Sequence, residues 1–100
     1  MYYRVTKINV NQGHMNDVVN CLDSISDTLY EVEGLHSINC IKVSETEAYA
    51  FSCYDNVEQV KNATPFQQEV FGEMKKYFSA PPEVIEGPQL WNWSPKEVTV

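Results

Sequence analysis

The fold is decided by residues 57–86, which read VEQVKNATPFQQEVFGEMKKYFSAPPEVIE. Their apolar side chains recur at spacings of three and four, which predicts a helix with one inward stripe. The stripe contains Val60, Ala63, Phe66, Val70, Met74, Tyr77 and Phe78, and Phe71 widens it. Pro65 lies inside this pattern without a backbone donor and is expected to split or kink the helix, and Pro81 and Pro82 end it. The helix and the strand-like run after it form one half of a split βαβ repeat.

The first part of the chain carries the other half of the repeat. Residues 2–10 are rich in Tyr, Val, Thr and Ile and alternate, which predicts a strand. A turn leads to an amphipathic helix predicted from His14 to about Val32, whose apolar residues again recur at spacings of three and four. Gly34 suits the left-handed residue that follows a helix, and a strand is predicted over residues 35–43.

A hairpin joins the two halves. Its second strand is predicted over residues 47–54, after a tight connection. Asp55 and Glu58 have the spacing of a capping box, with Asn56 as the alternative cap, so the second helix is predicted to begin just after residue 56.

The last strand is predicted over residues 83–93, where Gly87 and Pro88 indicate an edge or a bulge. Residues 1–93 are predicted as a single domain and residues 94–100 as a C-terminal tail. The order of elements specifies an α+β, ferredoxin-like sandwich, with a four-stranded antiparallel sheet and two helices on one face.

The second face of this sheet is expected to be apolar and to need a partner. Tyr3 and Val5 lie on it, together with one of two alternating sets from the third strand. Those sets are Tyr49, Phe51 and Cys53, or Ala48, Ala50 and Tyr54. Because a lone domain would expose this surface, the sequence predicts a face-to-face homodimer.

Composition narrows the function classes. The chain has 100 residues, 43% of them apolar, and a formal net charge of −7. The acidic balance disfavours binding to nucleic acid or to an anionic membrane, and no apolar run approaches the ~20 residues that span a bilayer. The N-terminus lacks the features of a signal peptide, so a cytoplasmic location is expected. Cys21, Cys40 and Cys53 are scattered, which predicts free and buried thiols.

Several short scaffold motifs follow one another along the chain. They are Gln12-Gly13 before the first helix, Glu33-Gly34-Leu35 entering the second strand, Tyr54-Asp55-Asn56 with the later Phe66, and residues 78–84, FSAPPEV, entering the last strand. In these motifs the chain resembles the antibiotic biosynthesis monooxygenase-like family of dimeric α+β barrels, over roughly residues 2–93.

The resemblance implies a homodimer in which each subunit holds a pocket between helices and sheet. Characterised members of that family include cofactor-free oxygenases that act on electron-rich aromatics, and relatives that degrade haem. The haem-degrading branch uses an Asn on the first strand and a Trp and a His on the second helix. Those positions hold Thr6, Ala63 and Val70 here, so the resemblance disfavours haem degradation.

Six residues are predicted to form a site. Tyr54 and His36 are the candidate catalytic residues, and the candidate ligand-binding residues are Arg4, Thr6, Phe66 and Val70. Four of them have a plainer interpretation: His36 as an ordinary strand histidine, the aromatic Tyr54 and Phe66 as core or dimer interface, and Arg4 as the ion-pair partner of an acidic neighbour such as Glu86. The spacing of His and Cys predicts no metal site, and no motif predicts a bound cofactor.

The leading functional hypothesis is therefore a homodimer that binds a small apolar or aromatic ligand, with cofactor-independent monooxygenation as its reaction. In that reaction a deprotonated, electron-rich substrate reduces dioxygen while the protein positions it and stabilises its anion. The alternative is a non-catalytic binding or assembly module of the same fold.

Overall fold

The computed structural model of the protein describes residues 1–95. The chain runs through β1 (Tyr2–Asn9), α1 (Met15–Ile25), β2 (Leu35–Lys42), β3 (Glu47–Tyr54), α2 (Val57–Met74) and β4 (Glu83–Pro88), with short 3-10 helices at Thr28–Glu31 and Lys75–Tyr77. The strands form one antiparallel sheet in the order β2-β3-β1-β4. The predicted ferredoxin-like α+β fold is confirmed. The predicted tail, residues 94–100, lies largely outside the described residues.

The strand register decides which side chains share a face of the sheet. Thr6 on β1 lies opposite Ala50 on β3 and Val84 on β4, whereas Val5 lies opposite Phe51 and Ile85. Directly opposed residues of antiparallel strands project to the same side. The face toward the helices, here called the inner face, therefore carries Arg4, Thr6, Ile8, Ala48, Ala50 and Tyr54. The opposite face, here called the outer face, carries Tyr3, Val5, Tyr49, Phe51 and Cys53.

The core lies between the inner face and the two helices. One buried cluster joins Ile8, Val10, Val18, Ala48, Val70 and Met74, and a second joins Tyr54, Val60 and Ala63. The predicted stripe is confirmed within α2, where four of its members are buried and Phe66 and Phe71 pack against the first cluster. Its last members, Tyr77 and Phe78, also pack against that cluster, but they lie beyond the end of α2 at Met74.

The first helix is shorter than its apolar spacing predicts. It ends at Ile25 and is followed by the 3-10 helix Thr28–Glu31, whereas the pattern predicted a helix to about Val32. The hydroxyl of Ser24 donates to the carbonyl of Cys21 at 2.6 Å, and that of Ser26 donates to the carbonyl of Asp23 at 2.9 Å. Serine side chains that bond to nearby carbonyls compete with the helical ladder, which explains the early end.

Pro65 does not split the second helix, so that part of the prediction is wrong. The helix α2 continues through Pro65 from Val57 to Met74. Pro65 and Lys61 are both exposed, so the Lys61 carbonyl that loses its amide partner lies on the solvated side of the helix. Asn56 is the cap: its Oδ1 accepts a hydrogen bond from the Gln59 amide at 3.1 Å.

The last strand ends at Pro88 rather than at residue 93. Tyr2, the first residue of β1, pairs with Pro88, so β1 offers no ladder partner further along. Only the Gln89 amide continues the pairing, donating to the Met1 carbonyl at 2.8 Å. The following segment exposes large apolar side chains: Leu90 is 99% exposed, Trp91 78% and Trp93 70%.

The three thiols are free, but they are not all buried as predicted. Cys53 is buried and Cys21 half-buried, whereas Cys40 is exposed. Cys40 lies on β2, which within residues 1–95 is an edge strand of the sheet and pairs only with β3, and this explains the difference.

The loop into β2 depends on Gly34, and this gives a first prediction. Gly34 has φ +77°, and a Cβ added to it would lie 2.4 Å from Cγ of Gln59. We expect Gly34→Ala to lower the free energy of unfolding by about 1–3 kcal/mol, since both backbone strain and a clash are introduced. The matched control is Gly72→Ala, where an added Cβ meets no atom within 4 Å and the helical position favours Ala. Urea unfolding measures both, and equal effects of the two variants would contradict the explanation.

No helix in residues 1–95 is long and apolar enough to cross a membrane.

Candidate functional site

A cavity of about 70 Å³ lies between the inner face of the sheet and the helices. Its floor comes from β1, β2 and β3, and its walls come from α1, from α2 and from the segment between α1 and β2. This volume is about half of the ~150 Å³ of an apolar cavity that holds benzene. Two surface grooves share wall residues with it, one through Val32, Ala63 and Phe66 and the other through Leu29, Leu35 and Ile38. A ring-sized ligand would therefore extend into a groove.

The cavity lining is mostly apolar and contains no Asp, Glu, Lys, Arg or His from the described part of the chain. Its polar side chains are Thr6, Cys40, Ser52, Tyr54 and Gln67. Such a lining suits an uncharged ligand that has a hydrophobic body and few hydrogen-bonding atoms.

Four of the predicted site residues line the cavity: Thr6, Tyr54, Phe66 and Val70. They come from three elements, β1, β3 and α2, so the fold brings together residues that are far apart in the sequence. Thr6 and Tyr54 are buried, and Phe66 packs against the core.

Arg4, the fifth predicted residue, lies behind this lining and is only 5% exposed. Its Nε donates to Oε2 of Glu86 at 3.3 Å, which is the ion pair expected from the sequence. Its Nη2 donates to Oγ1 of Thr64 at 2.8 Å and to the carbonyl of Val60 at 3.4 Å. Its Nη1 donates to Oε1 of Gln67. The guanidinium thus connects β1 with α2 through hydrogen bonds and with β4 through an ion pair.

Tyr54 supplies the cavity with a neutral hydroxyl group. Burial raises the pKa of its phenol above the ordinary value, an effect that Arg4 and Ser52 oppose and that the Glu86 carboxylate reinforces. Tyr54 therefore carries its proton at neutral pH and is able to donate a hydrogen bond to a ligand.

The raised pKa of Tyr54 gives a second prediction. Above pH 10 the unfolded chain ionises this tyrosine while the folded protein keeps it neutral, so the free energy of unfolding should fall as the pH rises past about 10. We expect Tyr54→Phe to make this fall shallower, as measured by urea unfolding at several pH values between 9 and 11. Tyr30→Phe, which alters a ring that is 91% exposed, is the control and should follow the wild type. A wild-type slope in Tyr54→Phe would contradict the assignment.

His36, the sixth predicted residue, does not reach the cavity. Its Nε2 lies 2.5 Å from Oδ1 of Asp55, and the two side chains are 44% and 51% exposed. The pair lies at the surface, where His36 borders the shallow groove with Leu29 and Tyr30. The geometry therefore gives no support to His36 as a general base for a molecule in the cavity.

Sequence reasoning missed Ser52 and Gln67, although each leaves a signal. Gln67 continues the α2 stripe at the same spacings of three and four, and it is the polar member of that stripe. Ser52 alternates with Ala50 and Tyr54 on the inner face. A polar residue at an inward position is the pattern that would have identified both.

Among residues 1–95, no three or more His, Cys, Asp or Glu side chains cluster in a way that could hold a metal ion.

Solved structures of other proteins have a similar fold. No family model matches the sequence, and no curated protein matches it. A monooxygenase of Streptomyces coelicolor, solved in complex with nanaomycin D, superposes with a TM-score of 0.80 at 14% identity, covering 95% of this chain and 92% of that one.

Two further structures are similar. One is described as an antibiotic biosynthesis monooxygenase from Bordetella bronchiseptica, with a TM-score of 0.74 and 16% identity over 90% of this chain and 97% of that one. The other is SnoaB, a cofactor-independent oxygenase from Streptomyces nogalater, with a TM-score of 0.76 and 7% identity over 91% of this chain and 94% of that one. The chain therefore has the α+β fold of the antibiotic biosynthesis monooxygenase proteins.

Proposed function

We propose that the cavity binds a small, uncharged, largely apolar molecule with an aromatic ring. The observation that carries this proposal is the lining, which is apolar except for Thr6, Cys40, Ser52, Tyr54 and Gln67. Burial raises the pKa of Tyr54 above its ordinary value, so this hydroxyl group is uncharged at neutral pH. A charged ligand would lose its hydration in this cavity without an opposite charge in the lining.

The reaction proposed for this ligand is oxygenation without a cofactor. Support comes from similar solved structures described as monooxygenases, one of them as a cofactor-independent oxygenase. In such a step a phenol and dioxygen give a quinone and water: one oxygen atom is added to the ring, and the two hydrogens that the substrate loses leave as water. The substrate is the reductant and dioxygen the oxidant.

In this step the protein would hold the substrate in position and stabilise its negative charge. Arg4 lies directly behind Gln67 and favours the ionised form of Tyr54, so its field also favours a phenolate bound beside them. Among the described residues the lining offers no side chain that is a base at neutral pH, so the phenol binds in its neutral form and must ionise after it is bound. We therefore expect phenols of low pKa to be the better substrates.

A second candidate function is binding without turnover. The described residues place no Asp, Glu or His in the cavity lining, which favours this alternative because none of these lining residues takes a proton from a neutral phenol.

Oxygen uptake with a panel of single-ring hydroquinones tests the two functions. We expect uptake above the rate without enzyme, a loss of about tenfold or more in Tyr54→Phe, and abolition in Ala50→Leu, which fills the cavity. His36→Ala is the matched control and should keep wild-type uptake. Binding of the hydroquinones without oxygen uptake would favour the non-catalytic function, and uptake that is unaffected by filling the cavity would refute the proposed site.

We also propose that two copies of the chain pair through the outer face of the sheet. Tyr3, Val5, Tyr49 and Phe51 leave that face half-buried in one chain, and Ile85 beside Val5 is 71% exposed. An apolar surface of this kind is normally covered in a soluble assembly. A second copy related by a two-fold axis would present the same surface to it. The exposed side chains of Leu90, Trp91 and Trp93 follow the edge strand β4 along the chain and would extend the contact.

A further inference from the structure

Gln67 has a polar side chain at an inward position of α2, and only one end of its amide has a partner. Its Oε1 accepts a hydrogen bond from Nη1 of Arg4, and Gln67 also lines the cavity. Among residues 1–95, no hydrogen-bond partner meets its Nε2.

The orientation of this amide follows from the chemistry of its neighbour. A guanidinium has N–H donors and no acceptor, so only the oxygen of the amide can face Arg4. Arg4 is itself fixed, because Glu86, Thr64 and the Val60 carbonyl accept its other hydrogen bonds. The Nε2 group is therefore held on the side of the amide away from Arg4.

We infer that Gln67 is the hydrogen-bond donor that selects the ligand, with Arg4 as the residue that positions it. This inference rests on the proposed ligand-binding function of the cavity. It narrows the ligand class to aromatic molecules with an acceptor oxygen, namely a carbonyl or a phenolate, on the edge that faces α2. Tyr54, with its neutral hydroxyl, is the second donor to such an oxygen.

The positive charge of Arg4 affects the ligand through the amide of Gln67. The positive guanidinium polarises the Gln67 carbonyl, which makes its N–H groups stronger donors than those of an isolated amide. A ligand oxygen that gains negative charge would be stabilised more than a neutral one, whereas a ligand with only apolar edges would leave the N–H groups unpaired.

The test compares acetophenone with ethylbenzene, which have the same ring and differ in the carbonyl. Binding is measured by titration of the ¹⁵N-labelled protein, with the side-chain amide of Gln67 as the reporter. In the wild type we expect tighter binding of acetophenone and a shift of the Gln67 Nε2 signals with acetophenone alone. In Gln67→Glu the carboxylate keeps the partner of Arg4 but replaces the donor with an acceptor, so acetophenone should bind about tenfold more weakly or worse while ethylbenzene changes by less than about twofold.

Gln67→Met is the second variant. It should bind acetophenone and ethylbenzene with equal affinity, since it removes both ends of the amide. Melting temperatures establish that each variant is folded before titration. Equal weakening of both ligands in Gln67→Glu, or an unmoved Gln67 signal when acetophenone is bound in the cavity, would overturn the role of Gln67 and leave the proposed function standing. Failure of both ligands to bind the wild type would overturn the inference together with the proposed function.

Discussion

Replacing Arg4 with Met is expected to lower the free energy of unfolding by about 3 kcal/mol. Arg4 is 5% exposed and has partners on α2 and β4. The substitution keeps an apolar stem of similar length but leaves the Glu86 carboxylate and the Oε1 of Gln67 without their donor. Breaking a buried ion pair by removing one partner costs about 3–5 kcal/mol, and the lower end applies because the Glu86 side chain is 37% exposed.

Urea unfolding of Arg4→Met measures this loss, and Lys7→Met is the matched control. Lys7 pairs with Glu83 across the same two strands at 3.9 Å, but the side chains are 32% and 68% exposed. We expect Lys7→Met to cost no more than about 1 kcal/mol. If Arg4→Met and Lys7→Met lowered the free energy of unfolding by the same small amount, the guanidinium would not have the structural role assigned to it.

The second large effect is expected at the outer face of the sheet. Val5 lies at its centre, opposite Phe51 on one side and Ile85 on the other. Glu at this position would place an unpaired carboxylate in the proposed dimer interface, where burial of a charge is costly. We expect the wild type to have the mass of two chains and Val5→Glu to have the mass of one, by light scattering after gel filtration.

The control for this experiment is Val19→Glu, at a residue of α1 that is 48% exposed and lies on the other layer of the fold. It adds the same charge and should leave the mass of the wild type unchanged. A wild type with the mass of one chain at micromolar concentration would contradict the proposed interface, and so would a Val5→Glu variant with the mass of two.

The sheet and its helices could be predicted because their signals are periodic. The stripe of α2 identified its buried residues Val60, Ala63, Val70 and Met74, and the alternation of β1 placed Tyr3 and Val5 together on the outer face. The choice between the two faces of β3 needed the register, because both alternating sets contain apolar residues.

The element ends were harder to predict, since local side chains decide them. The hydroxyl groups of Ser24 and Ser26 donate hydrogen bonds to carbonyls near the end of α1. Because β1 begins at Tyr2, which pairs with Pro88, β4 ends at Pro88. Such contacts depend on which partner is near, and hydrophobic spacing does not contain that information.

The candidate site was predicted in part. Residues with inward positions on regular elements were found, as Thr6 and Tyr54 show. His36 was chosen for its chemistry, but a register shift between Leu35 and Ser37 interrupts the pairing at this point, and His36 pairs with Asp55 at the surface. Gln67 was missed because it is a polar residue inside an apolar stripe, and hydrophobic spacing identifies only the apolar members of a stripe.

The most direct test of the proposed cavity is a crystal structure of the protein grown with acetophenone. We expect the ring to lie between Thr6 on β1 and Phe66 and Val70 on α2, with the ketone oxygen about 3 Å from Nε2 of Gln67. Acetophenone bound elsewhere, with the space between the inner face and α2 still closed, would contradict this expectation.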